Sequence, residues 1–366
     1  MKVLIDATPL LVRSAGVKNY LYHWIAALRR TAPAGSVSTF PALAAEGALD
    51  HEGSVTGRWR TWSALFQLAA ANHTPLPLLD SPARGADIFH ASSLVRHPPR
   101  RPLLTATIHD LSSSILPELH PSANREADRN LAENLRQARG IIAVSEATRQ
   151  DAIRLLHIAP EKIVTIHSGV SGAFFCVSPD AVEQVCARYG LRKKFVLSVG
   201  TVEPRKNFGG LIAAYRALPP ALQDEFDLVV AGPIGWADAA TVDGVRSVRY
   251  LGYVPESDIA PLTAAAAVFA YPSFYEGFGF PVVQAMAAGV PVVTSNVSAL
   301  PEVAGDAALL VDPRSQSELR DALQRLLLDA GLREQLSERG RLRAERFRWE
   351  ECAAKSWQFF RGVWEH

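Results

Sequence analysis

Apolar runs of four to six residues recur along the chain, and longer segments between them bring apolar residues back every three or four places. The short runs have the length of buried strands and the long segments the period of amphipathic helices. In the first half the pattern predicts strands over Lys2–Asp6, Asp87–His90, Leu103–His109, Ile141–Val144 and Ile163–His167. Helices are expected over Val17–Arg29, opened by Gly16, over the charge-laced segment His120–Arg139, and over Glu146–Leu156 with Ser145 as its N-cap. The alternation restarts at Lys194–Val199 and continues with strands over Leu228–Ala231, Val248–Leu251, Val268–Tyr271, Pro291–Thr294 and Ala308–Val311. Helices fall between them: Asn207–Leu218 is closed by two prolines, and Glu318–Ala330 and Leu332–Phe347 precede a tail over Trp349–Trp364. Alternating strands and helices predict an α/β protein with parallel sheets wrapped by helices. The restart near residue 194 predicts two such units, parted at Ser168–Cys176, where Gly169 and Gly172 sit in a stretch of little periodicity.

Composition agrees with two ordinary globular domains. The chain has 366 residues, 48% hydrophobic and 20% charged, which excludes fibrous and disordered classes. A net charge of +1 argues against a nucleic-acid protein. The charge is uneven: through Ser168 there are 18 Lys and Arg against 14 Asp and Glu, and beyond it 20 against 23. A mildly basic first half suits an anionic partner or a membrane surface. Cys176, Cys186 and Cys352 form no close pair, which predicts a reducing, cytoplasmic compartment and no thiolate metal site. The apolar start is too short for a signal peptide, and no run approaches the ~18 apolar residues of a membrane span.

In open parallel sheets, ligands bind beyond the carboxyl ends of the strands, so the loops after strands carry the chemistry. Gly200-Thr-Val-Glu-Pro-Arg-Lys-Asn207 lies between a strand and a helix. Arg205 and Lys206, just before a helix N-terminus, suit a phosphate; a solvated charged loop is the equally simple alternative. P-loop and dinucleotide fingerprints are absent. The second loop runs from Tyr271 to Gly289 and holds Glu276 among Gly277, Phe278 and Gly279. Its glycines permit close approach of backbone to a ligand. Pro281 is expected to open a short helix with Gln284 in its first turn. Glu276 either serves a ligand there or merely complements the helix dipole.

These two loops carry a resemblance. Glu276-Gly-Phe-Gly-Phe-Pro281, Ala285-Met-Ala-Ala-Gly-Val-Pro-Val-Val293 and Leu300-Pro-Glu-Val-Ala-Gly305 resemble the signature of retaining GT-B glycosyltransferases of family 4. The segment from Gly200 to Asn207 is similar to the same family's phosphate loop. Thr107-Ile-His-Asp-Leu111, Ile142-Ala-Val-Ser145, His167-Ser-Gly-Val170 and Asp6-Ala-Thr-Pro-Leu10 with Gly16-Val-Lys-Asn-Tyr20 are similar to its first-domain landmarks.

The resemblance implies two Rossmann-like domains facing across a cleft, 1–170 completed by 348–366, and 171–347 holding a sugar-nucleotide donor. It places Arg205 and Lys206 on the donor diphosphate, with Thr201 in the same loop. Glu276 falls on the transferred sugar, within the loop Gly277, Phe278 and Gly279. Gln284 takes the position of a glutamate that holds the ribose, Gly252-Tyr253-Val254 borders the base, and Gly16 lies near the distal phosphate. His109 lines the reacting centre. Gln284 in place of the second signature glutamate and His167-Ser-Gly-Val-Ser171 in place of Asn-Gly-Val-Asp are departures from the pattern.

Histidines and carboxylates show no metal-ligand spacing, so neither metal nor cofactor is expected, and Arg, Lys and helix termini meet the diphosphate charge. Trp59, Trp62, Leu65 and Phe66 beside Arg58 and Arg60 predict an amphipathic segment. Packing on the first domain is the simpler reading; contact with a membrane or lipid-linked acceptor, helped by Arg96–Arg101, is the sharper one. The sequence thus points to a metal-independent retaining hexosyltransferase, cytoplasmic and peripheral at the inner membrane face. GDP-mannose is the first choice of donor and a UDP-sugar the second, with a glycan or lipid-linked acceptor. A binding subunit that has lost turnover and a sugar-nucleotide epimerase are the other readings.

Overall fold

The structure is a computed structural model that describes residues 1–14, 16–43, 49–74, 78–237, 241–242 and 248–365, with only the backbone over 123–130. Most charged side chains of the expected helix 120–139 therefore lie outside the described residues. The chain divides into two compact units, Met1–Gly169 with Trp349–His366, and Val170–Arg348.

The first unit is built on six parallel strands in the order β2-β1-β3-β4-β5-β6. They are β1 (Val3–Asp6), β2 (Val37–Phe40), β3 (Ile88–Ala91), β4 (Leu103–Ile108), β5 (Gly140–Ala143) and β6 (Ile163–Thr165). The strand β2 is an addition to the expected set. The residues of β1, β3 and β5 are buried throughout, as the uninterrupted apolar runs require of a sheet covered on both faces. Helix Gly16–Thr31 buries Tyr20, Trp24, Ala27 and Leu28, the face expected from their spacing. Ser145 accepts a hydrogen bond from the Thr148 amide and caps helix Glu146–Leu156. The tail is a helix, Trp349–Glu365, that packs on Gly16–Thr31; Trp24 Nε1 donates to Ser356 Oγ at 3.0 Å.

The second unit repeats the plan with the order β12-β11-β10-β7-β8-β9, again all parallel. These are β7 (Lys194–Val199), β8 (Phe226–Ala231), β9 (Val248–Tyr250), β10 (Val268–Tyr271), β11 (Val292–Ser295) and β12 (Ala308–Val311). Helices Phe208–Arg216 and Gln316–Leu328 close one core over this sheet through Leu211, Tyr215, Leu323 and Leu326. At the carboxyl ends of β7 and β8 the backbone is crowded. Gly232, at φ +141°, faces the Gly200 carbonyl so closely that a Cβ there would collide with it. Glycine is needed at that crossing for space as well as for conformation. Among the described residues no helix is long and apolar enough to cross a membrane.

Candidate functional site

In the second unit, the loops leaving β7 and β10 meet. Arg205 and Lys206 lie on a 3-10 turn, Pro204–Lys206, rather than directly on an α-helical N-terminus. Asn207 takes a left-handed conformation, and helix Phe208–Arg216 begins after it. The Asn207 side-chain amide donates to the carbonyls of Pro272 and Pro313, at 3.1 and 2.7 Å, and so ties the turn to the neighbouring loop.

Glu276 is the hub. Its Oε1 lies 2.6 Å from Lys206 Nζ, and its Oε2 lies 3.0 Å from Arg205 Nη1. Arg205 also donates to the Tyr275 carbonyl and to Glu203 Oε1, both at 2.6 Å. Lys206 donates at 2.6 Å to the Tyr271 hydroxyl at the end of β10 and sits over the Tyr271 ring. The Glu276 amide donates to Ser298 Oγ at 2.9 Å. Glu203, Arg205 and Glu276 are all buried. Burial alone would raise the Glu276 carboxyl, but the charges of Arg205 and Lys206 outweigh it and hold it down at about 2. Tyr271 is pushed well above its ordinary range by burial and by the nearby Glu276 charge. Two cations and two carboxylates taken from water are a poor source of stability. They are concentrated at the carboxyl ends of β7 and β10.

The other donor residues expected in this unit lie on the loops after β7, β9 and β10 and on the helix that follows. Thr201 is half-buried in the loop after β7. Gly252, left-handed at φ +67°, accepts a hydrogen bond from the Gly232 amide at 2.7 Å, which joins the loops after β8 and β9. Tyr253 is half-buried and Val254 buried. Gly277 and Gly279 are buried with Glu276. Gly279 is left-handed at the N-cap of helix Phe280–Ala287, with Leu300 packed where a Cβ would project. That helix begins at Phe280, one residue before Pro281, so Gln284 is its fifth residue and stands beyond the first turn, half-buried. The Phe278 ring packs edge-on to Phe280 and Phe347.

The first unit carries a separate cavity of about 120 Å³ at the carboxyl ends of its strands, lined by Asp6, Val17, His90, Ser92, Thr107, His109 and Asp110 among others. His109, directly after β4, packs edge-on to Tyr20 at 4.8 Å. Desolvation lowers its imidazole to about 4, against a smaller opposing pull from Asp110, so it is neutral at pH 7. His90 bridges the Thr105 and Thr107 hydroxyls, each at 2.9 Å, and burial holds it near 3. Asp6 is buried, raised by desolvation, and accepts from the Thr8 amide and from the Ser92 amide and hydroxyl. Gly16 opens helix Gly16–Thr31 at the surface, with open space where a side chain would stand. Packing among the described residues thus gives no reason for glycine there.

Sequence reasoning passed over Glu203, Tyr271 and Asp6. Glu203 stands two residues before Arg205 in the very loop singled out, and Tyr271 and Asp6 are the last residues of strands. Strand-end position was the signal for all but Glu203. Among the described residues no group of three or more His, Cys, Asp or Glu could hold a metal ion.

Comparison with known proteins agrees across both units. The family described as Glycosyltransferase Family 4 matches residues 15–174, and Glycosyl transferases group 1 matches residues 188–343. The chain is 40% identical over 277 residues to O-antigen chain mannosyltransferase B of Escherichia coli, covering 74% of this chain and 72% of that protein. Its fold matches sucrose-phosphate synthase of Thermosynechococcus elongatus over all of both chains, with a TM-score of 0.76 at 21% identity. It also matches Anabaena HepE, solved with UDP and glucose, with a TM-score of 0.73 at 21% identity over 98% of this chain and 99% of that one.

Proposed function

The chain belongs to the family 4 glycosyltransferases of GT-B fold, and on that premise we propose that it transfers mannose from GDP-mannose to a growing glycan or lipid-linked acceptor in cell-surface polysaccharide assembly. The observation that carries this reading is the Arg205–Lys206–Glu276 cluster at the ends of β7 and β10. Similarity to an O-antigen mannosyltransferase supports mannose over other hexoses. A UDP-sugar is the alternative donor.

In this reading the donor diphosphate takes Arg205 and Lys206 from Glu276, and the freed carboxylate accepts hydrogen bonds from the sugar hydroxyls. Gln284 holds the ribose, and the backbone of Gly252–Val254 borders the base. The bond from the sugar anomeric carbon to the phosphate oxygen breaks as the acceptor hydroxyl attacks the same face, so the configuration is retained. The acceptor proton passes to the departing diphosphate, whose growing charge the two cations meet. His109, being neutral, offers a hydrogen bond at the reacting centre without adding charge. Catalysis is then positioning together with stabilisation of the leaving group, with no protein nucleophile and no metal.

The test is incubation with GDP-mannose, with UDP-sugars and with a mannosylated lipid-linked acceptor, before and after EDTA. Transfer from GDP-mannose that survives chelation and gives an axial product linkage is expected. Loss on chelation, restored by Mn²⁺, would remove the metal-independent mechanism. Gln284 favours the reading of a binding subunit without turnover, and nucleotide binding with neither transfer nor hydrolysis would establish it.

A further inference from the structure

Helix Arg58–His73 has two apolar faces. Ala64, Leu68 and Ala71 are buried and form its packing stripe. The expected packing residues lie elsewhere: Trp59 is 89% exposed, Trp62 69% and Phe66 76%, while Leu65 is half-buried. At spacings of three and four, these three rings line one side of the helix. They are the most exposed large apolar side chains among the described residues. Single exposed hydrophobic residues are ordinary, but a continuous aromatic stripe marks a surface that something covers.

The charges on the helix itself are of one sign. Arg58 and Arg60 are exposed on the first turn, and no Asp or Glu occurs between Glu52 and Asp80. Glu52 pairs with Arg13 at 3.0 Å, and Asp80 accepts from the Arg100 amide at 2.8 Å. The basic loop after β3 is fastened to the far end of the helix. Asn72 donates to the Leu94 carbonyl and accepts from the Arg96 amide, both at 2.8 Å. Exposed Arg96, Arg100 and Arg101 thus stand beyond one end of the aromatic stripe, and Arg58 and Arg60 at the other.

The helix is also held in place. The buried Lys18 donates to the carbonyls of Asp50 and Gly53, at 3.0 and 2.6 Å, and Val55 donates to the Leu10 carbonyl. These bonds fix the segment entering the helix to helix Gly16–Thr31 and to the turn after β1, at the end of the sheet where the Asp6–His109 cavity opens.

We propose that the outward face of helix Arg58–His73 seats an anionic lipid surface. The helix lies in the headgroup plane, its three rings enter the acyl boundary, and the arginines at both ends meet lipid phosphates. A neutral glycan would offer the arginines hydrogen-bond acceptors but no opposite charge. A second copy of this chain would bring like-charged arginines together across a two-fold contact. The proposal stands apart from the choice of donor, since it needs no sugar nucleotide.

Flotation of the full chain with vesicles of equal phosphatidylglycerol and phosphatidylcholine, and with pure phosphatidylcholine, tests it. The wild type is expected to float with the anionic vesicles. Trp59→Ser, Trp62→Ser and Phe66→Ser combined should lower that partition at least tenfold while the melting temperature stays close to that of the wild type, since the removed rings are mostly exposed. Arg58→Gln with Arg60→Gln should weaken anionic binding about fivefold per arginine and leave binding to pure phosphatidylcholine as it was. The proposal is overturned if the wild type stays in the lipid-free fraction, or if the triple variant floats equally well. It also fails if the stripe instead holds a dimer that the triple variant dissociates, or retains the chain on mannan while vesicles do not.

Discussion

Lys206 and Glu276 are joined at 2.6 Å, and the same carboxylate holds Arg205 through its other oxygen at 3.0 Å. One anion therefore orders both cations that are proposed to meet the diphosphate. Replacing it by a neutral amide takes the carboxylate from the half-buried Lys206 and leaves the buried Arg205 with Glu203 alone. We expect Glu276→Gln to lose roughly 3–5 kcal/mol of stability. A nucleoside diphosphate, which resupplies the missing charge, should then raise the melting temperature of the variant more than that of the wild type. Equal thermal shifts on adding GDP would show that phosphate does not take the place of Glu276.

The cations themselves should matter most once charge develops on the leaving group. Arg205→Ala or Lys206→Ala is expected to slow transfer by about 10²–10³-fold, the effect of roughly 2–4 kcal/mol in the transition state. Steady-state rates with the cognate donor decide it, and wild-type turnover in both variants would remove this loop from the reaction.

His109 is neutral at pH 7 because burial holds it at about 4. Its ionisation should therefore leave no inflection in the rate profile between pH 5.5 and 8, to a precision of about 20%. His109→Ala should lower kcat more than it changes donor KM, as loss of a transition-state contact does. An unchanged kcat in the variant would assign the ring to packing against Tyr20 alone.

Acid should attack the two units in order. His90 and His109 sit near 3 and 4 in the folded chain, against an ordinary 6.5. The unfolded first unit thus binds more protons as pH falls from 6.5 towards 4, and folding stability drops over that window, by roughly 2–4 kcal/mol at pH 5. Asp6, raised by burial, takes up its proton in the folded state and partly opposes the loss. Glu276 in the second unit, held at about 2 against 4.5, loses its contribution only as pH falls below 4.5. Hydrogen exchange, corrected for intrinsic rates, should show β3 and β4 opening at a higher pH than β7 and β10. The reverse order would contradict the assigned protonation states.

Gln284 replaces an acceptor-only carboxylate by an amide with one acceptor oxygen and two donor hydrogens. Ribose hydroxyls can donate or accept, so the contact survives with one bond reversed. We expect Gln284→Glu to change donor KM by no more than about tenfold, the equivalent of roughly 1.4 kcal/mol. Gln284→Ala should weaken donor binding with kcat held within a few-fold. Turnover confined to the glutamate variant would make the natural chain a binding subunit.

Much of this architecture is legible because buried parallel strands advertise themselves as short apolar runs, as Lys194–Val199 and Val268–Tyr271 do at their observed bounds. The strand Val37–Phe40 escaped because its Ser38 and Thr39 break the apolar run. The cluster was half visible. Arg205, Lys206 and Glu276 stand out among glycines and prolines, but the sequence cannot show that one carboxylate, 70 residues away, binds both cations. Helix Arg58–His73 misleads for another reason: small Ala64 and Ala71 do the packing, while the larger rings that dominate any hydrophobicity scale point outward. Size and burial are separate properties, and only tertiary contacts tell them apart.

The return of helix Trp349–Glu365 to the first unit has a consequence for the birth of the molecule. Gly140 is bare on the side where Phe359 and Val363 lie, and Trp24 finds its hydrogen-bond partner in Ser356. On the ribosome, those partners are among the last residues of this sequence to emerge. Domains fold as units during synthesis, ordinarily in chain order. Here Val170–Arg348 is whole before the unit that encloses it in sequence, so the half translated first matures last and waits with the Tyr20–Trp24 face uncovered.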